Sequence, residues 1–204
     1  MVTPRIAAKD GMSMKIGVLA LQGAVAEHIR MIEMAGAEGV VIKRPEQLEE
    51  IHGLIIPGGE STTIGKLMRA YGFIEEIRSF TADRKPVFGT CAGMILVAKQ
   101  IKDQTETHLK LMDIEVSRNA FGRQRESFET DLAVKGLDDP IRAVFIRAPL
   151  INKVGERVEV LSIYKDQIVA AREEHILAAS FHPELTDDYR LHKYFIDMVR
   201  LYQA

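Results

Sequence analysis

The chain contains one cysteine, Cys91, which stands between two glycines in the segment GTCAG (89–93). Glycines at this spacing, after an apolar strand pattern and before a helical one, are typical of a nucleophile on a sharp turn. The amino end of the following helix would favour the thiolate, which is the reactive form of cysteine. A buried core cysteine explains the segment alone equally well, so the choice depends on whether the chain also offers a base.

The segment SFHPE (180–184) offers a base, His182, and a carboxylate two residues later, Glu184. We expect an extended backbone around Pro183, which would turn both side chains the same way. Glu184 would then hold one ring nitrogen while the other faces Cys91, the arrangement of nucleophile, base and orienting group. Taken alone, HPE is better interpreted as a turn, but with the cysteine turn it predicts acyl transfer through a thioester. The other histidines are interpreted as surface or packing residues without a matching partner: His28, His52, His108, His175 and His192.

Two further segments are candidates for binding a reacting group. In PGGEST (57–62), Gly59 could supply one backbone amide of an oxyanion hole and Ala92 the other; a plain turn capped by Ser61 explains the same glycines. Arg118 and Arg147 could hold a substrate carboxylate through paired hydrogen bonds. For these arginines, the pattern alone favours surface salt bridges.

Short apolar runs alternate with helical patterns through the first half of the chain. Strands are predicted at 15–21, 39–43, 53–59 and 85–90, with a helix after Cys91 through Ile101 and another helix capped by Ser61 or Thr62. This order predicts a parallel sheet with helices on both faces. Five shorter, alternating segments predict an antiparallel or mixed extension of that sheet: 111–118, 126–134, 143–149, 158–164 and 167–173.

The end of the chain predicts a return to the central sheet. The apolar run 175–181 is expected beside the parallel strands, and the last helix is expected to be capped by Thr186, with Asp187 and Asp188 in its first turn. The predicted fold class is therefore α/β: three α/β/α layers with a mostly parallel central sheet and an antiparallel or mixed extension.

Composition limits the function classes. The 204 residues are 47% hydrophobic and 27% charged, with a net charge of -2, which gives no reason to expect nucleic acid or an anionic membrane as a partner. A lone cysteine cannot form an intramolecular disulfide, and we expect a cytoplasmic protein. We predict one domain at 14–204, preceded at 1–13 by a disordered leader or a remnant that does not belong to the fold.

Taken together, these motifs resemble the class I (triad) glutamine amidotransferase family, whose fold is flavodoxin-like, and most closely its glutaminases that serve pyridoxal 5'-phosphate (vitamin B6) synthesis. Triad glutaminases usually have a glutamine soon after the cysteine turn, whereas Met94 and Ile95 follow Gly93 here, which suits the pyridoxal group. The matching segments occur in order from about Lys15 to the final helix: LALQGAVAEH, KRPEQL, LIIPGGESTTIGKL, FGTCAGMI, RNAFGRQRESFE, FIRAP and SFHPELT.

The resemblance implies hydrolysis of L-glutamine by Cys91, His182 and Glu184, with neither metal nor cofactor. It also implies that ammonia passes to a separate (β/α)8-barrel synthase subunit, in an assembly of twelve copies of each, and that the subunit alone is poorly active until docking orders the oxyanion loop. It assigns glutamine binding to these residues: Gly58, Gly59, Glu60, Arg118, Ile146 and Arg147. Three alternatives remain at this point: a cysteine hydrolase of another substrate, a glutaminase of another pathway, and a catalytically silent binding subunit.

Overall fold

The computed structural model describes residues 13–121 and 127–204. The predicted leader therefore lies almost wholly outside the described residues, as does the segment 122–126 of the motif RNAFGRQRESFE. Two 3-10 helices span Pro45–Glu50 and Pro183–Leu185. The α-helices are α1 (Val25–Met34), α2 (Ser61–Ala70), α3 (Phe73–Ala82), α4 (Ala92–Val97) and α5 (Arg190–Gln203). The strands are β1 (Lys15–Leu19), β2 (Glu38–Ile42), β3 (Gly53–Ile56), β4 (Val87–Thr90), β5 (Ala98–Ile101), β6 (Met112–Ser117), β7 (Ser127–Leu132), β8 (Ile141–Ile146), β9 (Leu150–Val154), β10 (Glu159–Tyr164), β11 (Gln167–Glu173) and β12 (Ile176–Ala179).

Five strands form a parallel sheet in the order β2-β1-β3-β4-β12. The prediction that the run 175–181 returns to this sheet is confirmed, because β12 pairs in parallel with β4 and Ala179 lies opposite Thr90. The carboxyl ends of these two strands therefore meet at the same edge of the sheet. This register brings the residues that follow Thr90 close to those that follow Ala179, although some ninety positions separate them in the sequence.

The extension of the sheet is mixed, as predicted. Strands β11, β9 and β6 continue it in antiparallel order from β12, β10 pairs with β11, and β5 closes the edge in parallel with β6. Strands β7 and β8, which we expected to join this extension, instead form a separate two-stranded antiparallel sheet. Their alternating pattern is correct for a half-buried strand, but alternation does not specify the pairing partner.

Three local predictions are wrong. The helix after Cys91 ends at Val97, and Ala98 turns into strand β5; residues 92–98 are all buried, so their hydrophobicity has no period that separates helix from strand. Neither Ser61 nor Thr62 caps α2, which begins at Ser61 without a side-chain cap. Thr186 does not cap α5, because the helix begins four residues later; its hydroxyl instead accepts from the Asp188 amide.

Two apolar clusters cover the two faces of the sheet. Helices α2, α3 and α4 pack on one face through residues that include Ile64, Phe73 and Met94. Helices α1 and α5 cover the other face, together with the β7–β8 hairpin, through residues that include Ile32 and Phe195. The predicted three-layer α/β/α class is confirmed. Among the described residues, no helix is long and apolar enough to cross a membrane.

Candidate active site

Cys91 lies on the sharp turn between β4 and α4, with φ at 51° and ψ at −110°. Its amide donates to the Ala179 carbonyl of β12 at 2.8 Å, which fixes the turn to the neighbouring strand. The flanking glycines are needed for space: a Cβ at Gly93 would overlap the Ile56 carbonyl oxygen, and a Cβ at Gly89 would overlap that of Gly93. The strained turn therefore depends on the glycines that the sequence displays.

His182 follows β12 and faces this turn. Its Nδ1 lies 2.7 Å from Oε1 of Glu184, a fully buried carboxylate. The predicted pair is present, but the predicted backbone is wrong: residues 183–185 form a 3-10 turn, not an extended segment. Proline fixes only its own φ, and that value suits the first turn of a helix as well as an extended chain.

The ring of His182 also interacts with the side chain of Cys91. Burial by itself would lower the pKa of His182, but the hydrogen bonds with Cys91 and Glu184 and the charges of both outweigh burial and raise the pKa to about 10. The Cys91 thiol also reaches the Ile146 carbonyl, at an Sγ–O distance of 3.8 Å. The sulfur thus lies between an imidazole and the end of β8.

The glycine loop after β3 closes over the same point. A Cβ at Gly58 would come within 2.8 Å of His182 Cε1 and 3.3 Å of Cys91 Cβ, so the backbone approaches both side chains closely. Gly59 has φ at +140°, a conformation that favours glycine. The Glu60 amide donates to Gln22 Oε1 at 2.6 Å. Gln22 is not among the predicted site residues, although its position just after β1 places it at the same edge of the sheet.

A cavity of about 510 Å³ opens in front of the sulfur. It contains eight of the ten predicted site residues; Glu184 and Gly58 do not line it. Its lining is Gln22, Gly59, Glu60, Ser61, Cys91, Ala92, Ile95, Arg118, Asn119, Ile146, Arg147, Pro149 and His182.

The two predicted arginines lie on this cavity wall. In the described ranges 13–121 and 127–204, neither Arg118 nor Arg147 forms an ion pair, so the salt bridges that the pattern alone favoured are absent there. The Nε atom of Arg118 is buried and has no hydrogen-bond partner in that part of the chain. Two cationic groups that have no ion-pair partner among the described residues therefore line the space beside the sulfur.

Two histidines lie behind the carboxylate, on the side away from the cavity. His28 of α1 and His192 of α5 are fully buried, and His28 Nδ1 lies 2.8 Å from His192 Nε2. His28 Nε2 lies 3.3 Å from Thr90 Oγ1 and 3.5 Å from Glu184 Oε2. Both histidines are packing residues, but the prediction that they have no partner is wrong.

Burial keeps both of these histidines neutral. It lowers the pKa of His192 to about 3. Burial also lowers the pKa of His28 well below 6.5, and the nearby His192 and His182 lower it further.

Comparison with known proteins identifies the family. The model of the SNO glutamine amidotransferase family matches residues 18–201, nearly the whole chain. The chain belongs to this family. A relative from Niallia circulans, named pyridoxal 5'-phosphate synthase subunit PdxT, is 72% identical over 92% of this chain and 98% of its own length. A protein of the same name from Halalkalibacterium halodurans is 61% identical over 91% of this chain and 95% of its own.

Two solved structures share the fold of this family member. One, described as a crystal structure of glutamine amidotransferase, is 48% identical, superposes with a TM-score of 0.87 and covers 91% of this chain and 98% of its own. The structure of PurLQS from Thermotoga maritima has a TM-score of 0.70 at 17% identity over 95% of this chain and all of its own. The second likeness concerns the fold alone.

Proposed function

We propose that this chain hydrolyses L-glutamine to L-glutamate and ammonia, as the glutaminase subunit of a pyridoxal 5'-phosphate synthase. Membership of the amidotransferase family and relatives named as subunits of that synthase support the reaction and the pathway. The observation that carries the proposal is the continuous contact from Cys91 through His182 to Glu184, open to a cavity at one end and buried at the other.

The reaction begins at the sulfur. The Cys91 thiolate attacks the side-chain amide carbon of glutamine, forming a C–S bond and moving the carbonyl electron pair onto oxygen. When that pair returns, the C–N bond breaks and His182 donates its proton to the departing nitrogen, which leaves as ammonia. Water then attacks the γ-glutamyl thioester while His182 takes its proton, and the C–S bond breaks to release glutamate and the free cysteine.

The developing oxyanion needs hydrogen-bond donors. Ala92 is the first residue of α4, where a helix leaves its amides without intrahelical partners, and Gly59 is the glycine whose conformation can turn an amide toward the sulfur. These two amides are our candidates for the oxyanion hole. Glu184 holds His182 in one orientation and stabilises the imidazolium that forms when the proton is taken up.

The rest of the cavity suits an amino acid. Arg118 and Arg147 offer charge to the α-carboxylate, and the carboxylate of Glu60 offers charge to the α-ammonium group. Backbone groups of Gly58, Gly59 and Ile146 complete the binding site in this proposal.

The proposal includes a partner that receives the ammonia. We infer a (β/α)8-barrel synthase subunit, in an assembly of twelve copies of each chain, acting in the cytoplasm. Gly59 lies in a glycine-rich loop whose Glu60 amide donates to Gln22 Oε1, and a glycine can adopt more than one backbone conformation, which gives the loop two possible backbone states. Docking of the synthase would select the state with the amide turned toward the sulfur.

Ammonia release from glutamine, measured with and without the synthase subunit, tests the proposal. We expect turnover with the partner, little without it, and none above background in Cys91→Ala. A glutamine-like electrophile should also leave a covalent adduct on the Cys91 peptide in mass spectra. Full turnover by Cys91→Ala would overturn the mechanism, and activity on esters or peptides with none on glutamine would overturn the substrate.

A further inference from the structure

The second oxygen of the triad carboxylate, Glu184 Oε2, has no hydrogen-bond partner in the part of the chain that the structure describes. In residues 13–121 and 127–204, Glu184 Oε2 is fully buried and unpaired, whereas Oε1 binds His182. A buried carboxylate oxygen without a donor is costly, since burial removes the water that would otherwise solvate it. His28 Nε2 lies 3.5 Å from this oxygen.

The far end of the histidine pair decides which nitrogen carries hydrogen. His192 Nδ1 is also buried without a hydrogen-bond partner within the described ranges, and its ring lies against Phe88. A buried N–H without an acceptor is rarer in proteins than a buried acceptor without a donor. The hydrogen of neutral His192 therefore belongs on Nε2, the atom that lies 2.8 Å from His28 Nδ1.

This arrangement fixes the tautomer of His28 in turn. If His192 Nε2 donates, then His28 Nδ1 must accept, and a neutral imidazole carries its one hydrogen on the other nitrogen. That nitrogen, Nε2, is the one that faces Glu184 Oε2 and Thr90 Oγ1. The opposite tautomer would turn a lone pair toward a carboxylate, which is repulsive. The surroundings of His192 Nδ1 and those of Glu184 Oε2 thus lead independently to the same conclusion. Both place the hydrogen of His28 on Nε2.

We propose that His28, held in this tautomer by His192, is a positioning residue that donates its Nε2–H to Glu184 Oε2 and so fixes the carboxylate against His182. The inference rests on the proposed glutaminase function, which it deepens by extending the triad through the core from the cleft to α5. The lowered pKa values of both histidines agree with a neutral pair. A distance of 3.5 Å is long for this bond, but such contacts commonly tighten when substrate is bound.

The positioning has a mechanical reason. A carboxylate with one free oxygen can rotate about its terminal torsion, which is broad for glutamate. Each rotation would lengthen the 2.7 Å bond from His182, the bond that must hold the imidazolium during proton transfer. A donor behind the carboxylate removes this freedom without adding a charge that would compete with His182 for the carboxylate.

The tautomer can be measured on the wild-type chain. Nitrogen-15 chemical shifts of a histidine-labelled sample, assigned with His28→Gln and His192→Gln, distinguish protonated from bare ring nitrogens. We expect hydrogen on Nε2 of both residues near pH 7. Hydrogen on His28 Nδ1, or a doubly protonated His28, would overturn the proposal whether or not the chain proves to be a glutaminase.

The consequence for catalysis is tested with the chain assembled with its synthase subunit. We expect His28→Leu, which has no donor, to lower kcat for glutamine by about 10- to 100-fold with KM within about twofold. His28→Gln, whose amide can reach the same oxygen, should recover at least fivefold of that loss. The matched control is Ile32→Ala, which truncates another buried residue of the same helix and should lower Tm but leave kcat unchanged.

Two outcomes contradict the positioning role. One is a kcat for His28→Leu within twofold of wild type, and the other is an equal loss in His28→Leu and His28→Gln, which would indicate packing alone. If His28→Leu does not fold, the tautomer measurement still decides the proposal. Loss of activity in Cys91→Ala tests the proposed function separately, so the failure of one idea is not mistaken for the failure of the other.

Discussion

The carboxylate of Glu184 has a histidine beside each of its oxygens, and the two differ in charge. His182 Nδ1 lies 2.7 Å from Oε1, and its pKa is raised to about 10. His28 Nε2 lies 3.5 Å from Oε2, and its pKa is lowered well below 6.5. One histidine is thus set up to hold a proton beside the sulfur, and the other to remain neutral.

The difference lies in what else each ring touches. Both histidines lose water on burial, which lowers the pKa of each. His182 regains more than it loses because Cys91 and Glu184 both hydrogen-bond its ring. Among the described residues His28 pairs with no carboxylate besides Glu184, and the two nearby histidines, His192 and His182, lower its pKa further. A nearby carboxylate alone therefore does not make a histidine charged; a short hydrogen bond and the sign of the remaining neighbours decide it.

Glu184→Gln should have the largest effect on kcat, because it removes the negative charge beside His182 while keeping the shape of the side chain. An amide can stabilise the wrong tautomer of His182 and cannot balance an imidazolium. We expect kcat for glutamine in the assembled complex to fall by about 10²–10⁴-fold. The control is Glu173→Gln, which changes another buried glutamate that accepts from the Asp113 amide, outside the cleft. A kcat of Glu184→Gln within threefold of wild type would show that the charged contact between Glu184 and His182 is not needed.

Gly58→Ala tests how closely His182 is held beside the sulfur. The new Cβ would lie 2.8 Å from His182 Cε1, so the ring is expected to shift from its position beside the sulfur. A displacement of this size is expected to lower kcat by about 10- to 100-fold. In Gly39→Ala the new Cβ meets the flexible end of Ile29, also at 2.8 Å, and kcat should not change. Equal kcat values for the two variants would mean that the loop can retreat.

The sequence predicts the front of the site, Cys91 with His182 and Glu184, far better than the back, which is formed by His28 and His192. Cys91 and His182 follow apolar strands that are buried on both faces, so local patterns place both at one edge of a parallel sheet. Glycines beside the cysteine mark its turn, because no other residue leaves room for the neighbouring backbone. His182 and Glu184 are only two residues apart, so the sequence predicts their pairing even though it wrongly predicts an extended backbone between them.

The back of the site has no local signal. His28 and His192 are separated by 164 positions, and each reads as an ordinary member of an amphipathic helix. Only the packing of α1 and α5 on the same face of the sheet brings them together. The same reason applies to Gln22 and to the separate β7–β8 hairpin: their partners are fixed by tertiary contacts that no short segment encodes.

Removal of the sulfur should lower the pKa of His182 directly. In Cys91→Ala the ring loses one hydrogen bond and the charge associated with it, while its bond to Glu184 remains. We expect the pKa of His182, followed by NMR titration of its ring, to fall by about one to three units from its value near 10. His175, whose ring binds the Thr81 carbonyl, is the internal control and should not shift. An unchanged pKa of His182 would assign its rise to Glu184 alone.

The smallest effect is expected in the pH dependence of the free energy of unfolding. This dependence has opposite signs for His182 and for the pair His28 and His192. His28 and His192 titrate below the ordinary value of 6.5 in the folded chain, so the unfolded chain binds more protons and stability falls as pH drops below about 6.5. The slope is about 1.4 kcal/mol per pH unit for each histidine. His182 acts oppositely: its raised pKa contributes stability that is complete below 6.5 and is lost as pH rises toward 10. In urea unfolding from pH 5 to 10, the double variant His28→Gln, His192→Gln should flatten only the acid side, and Cys91→Ala only the alkaline side. If either variant flattens the other side instead, the assignment of charge to the two faces of Glu184 is wrong.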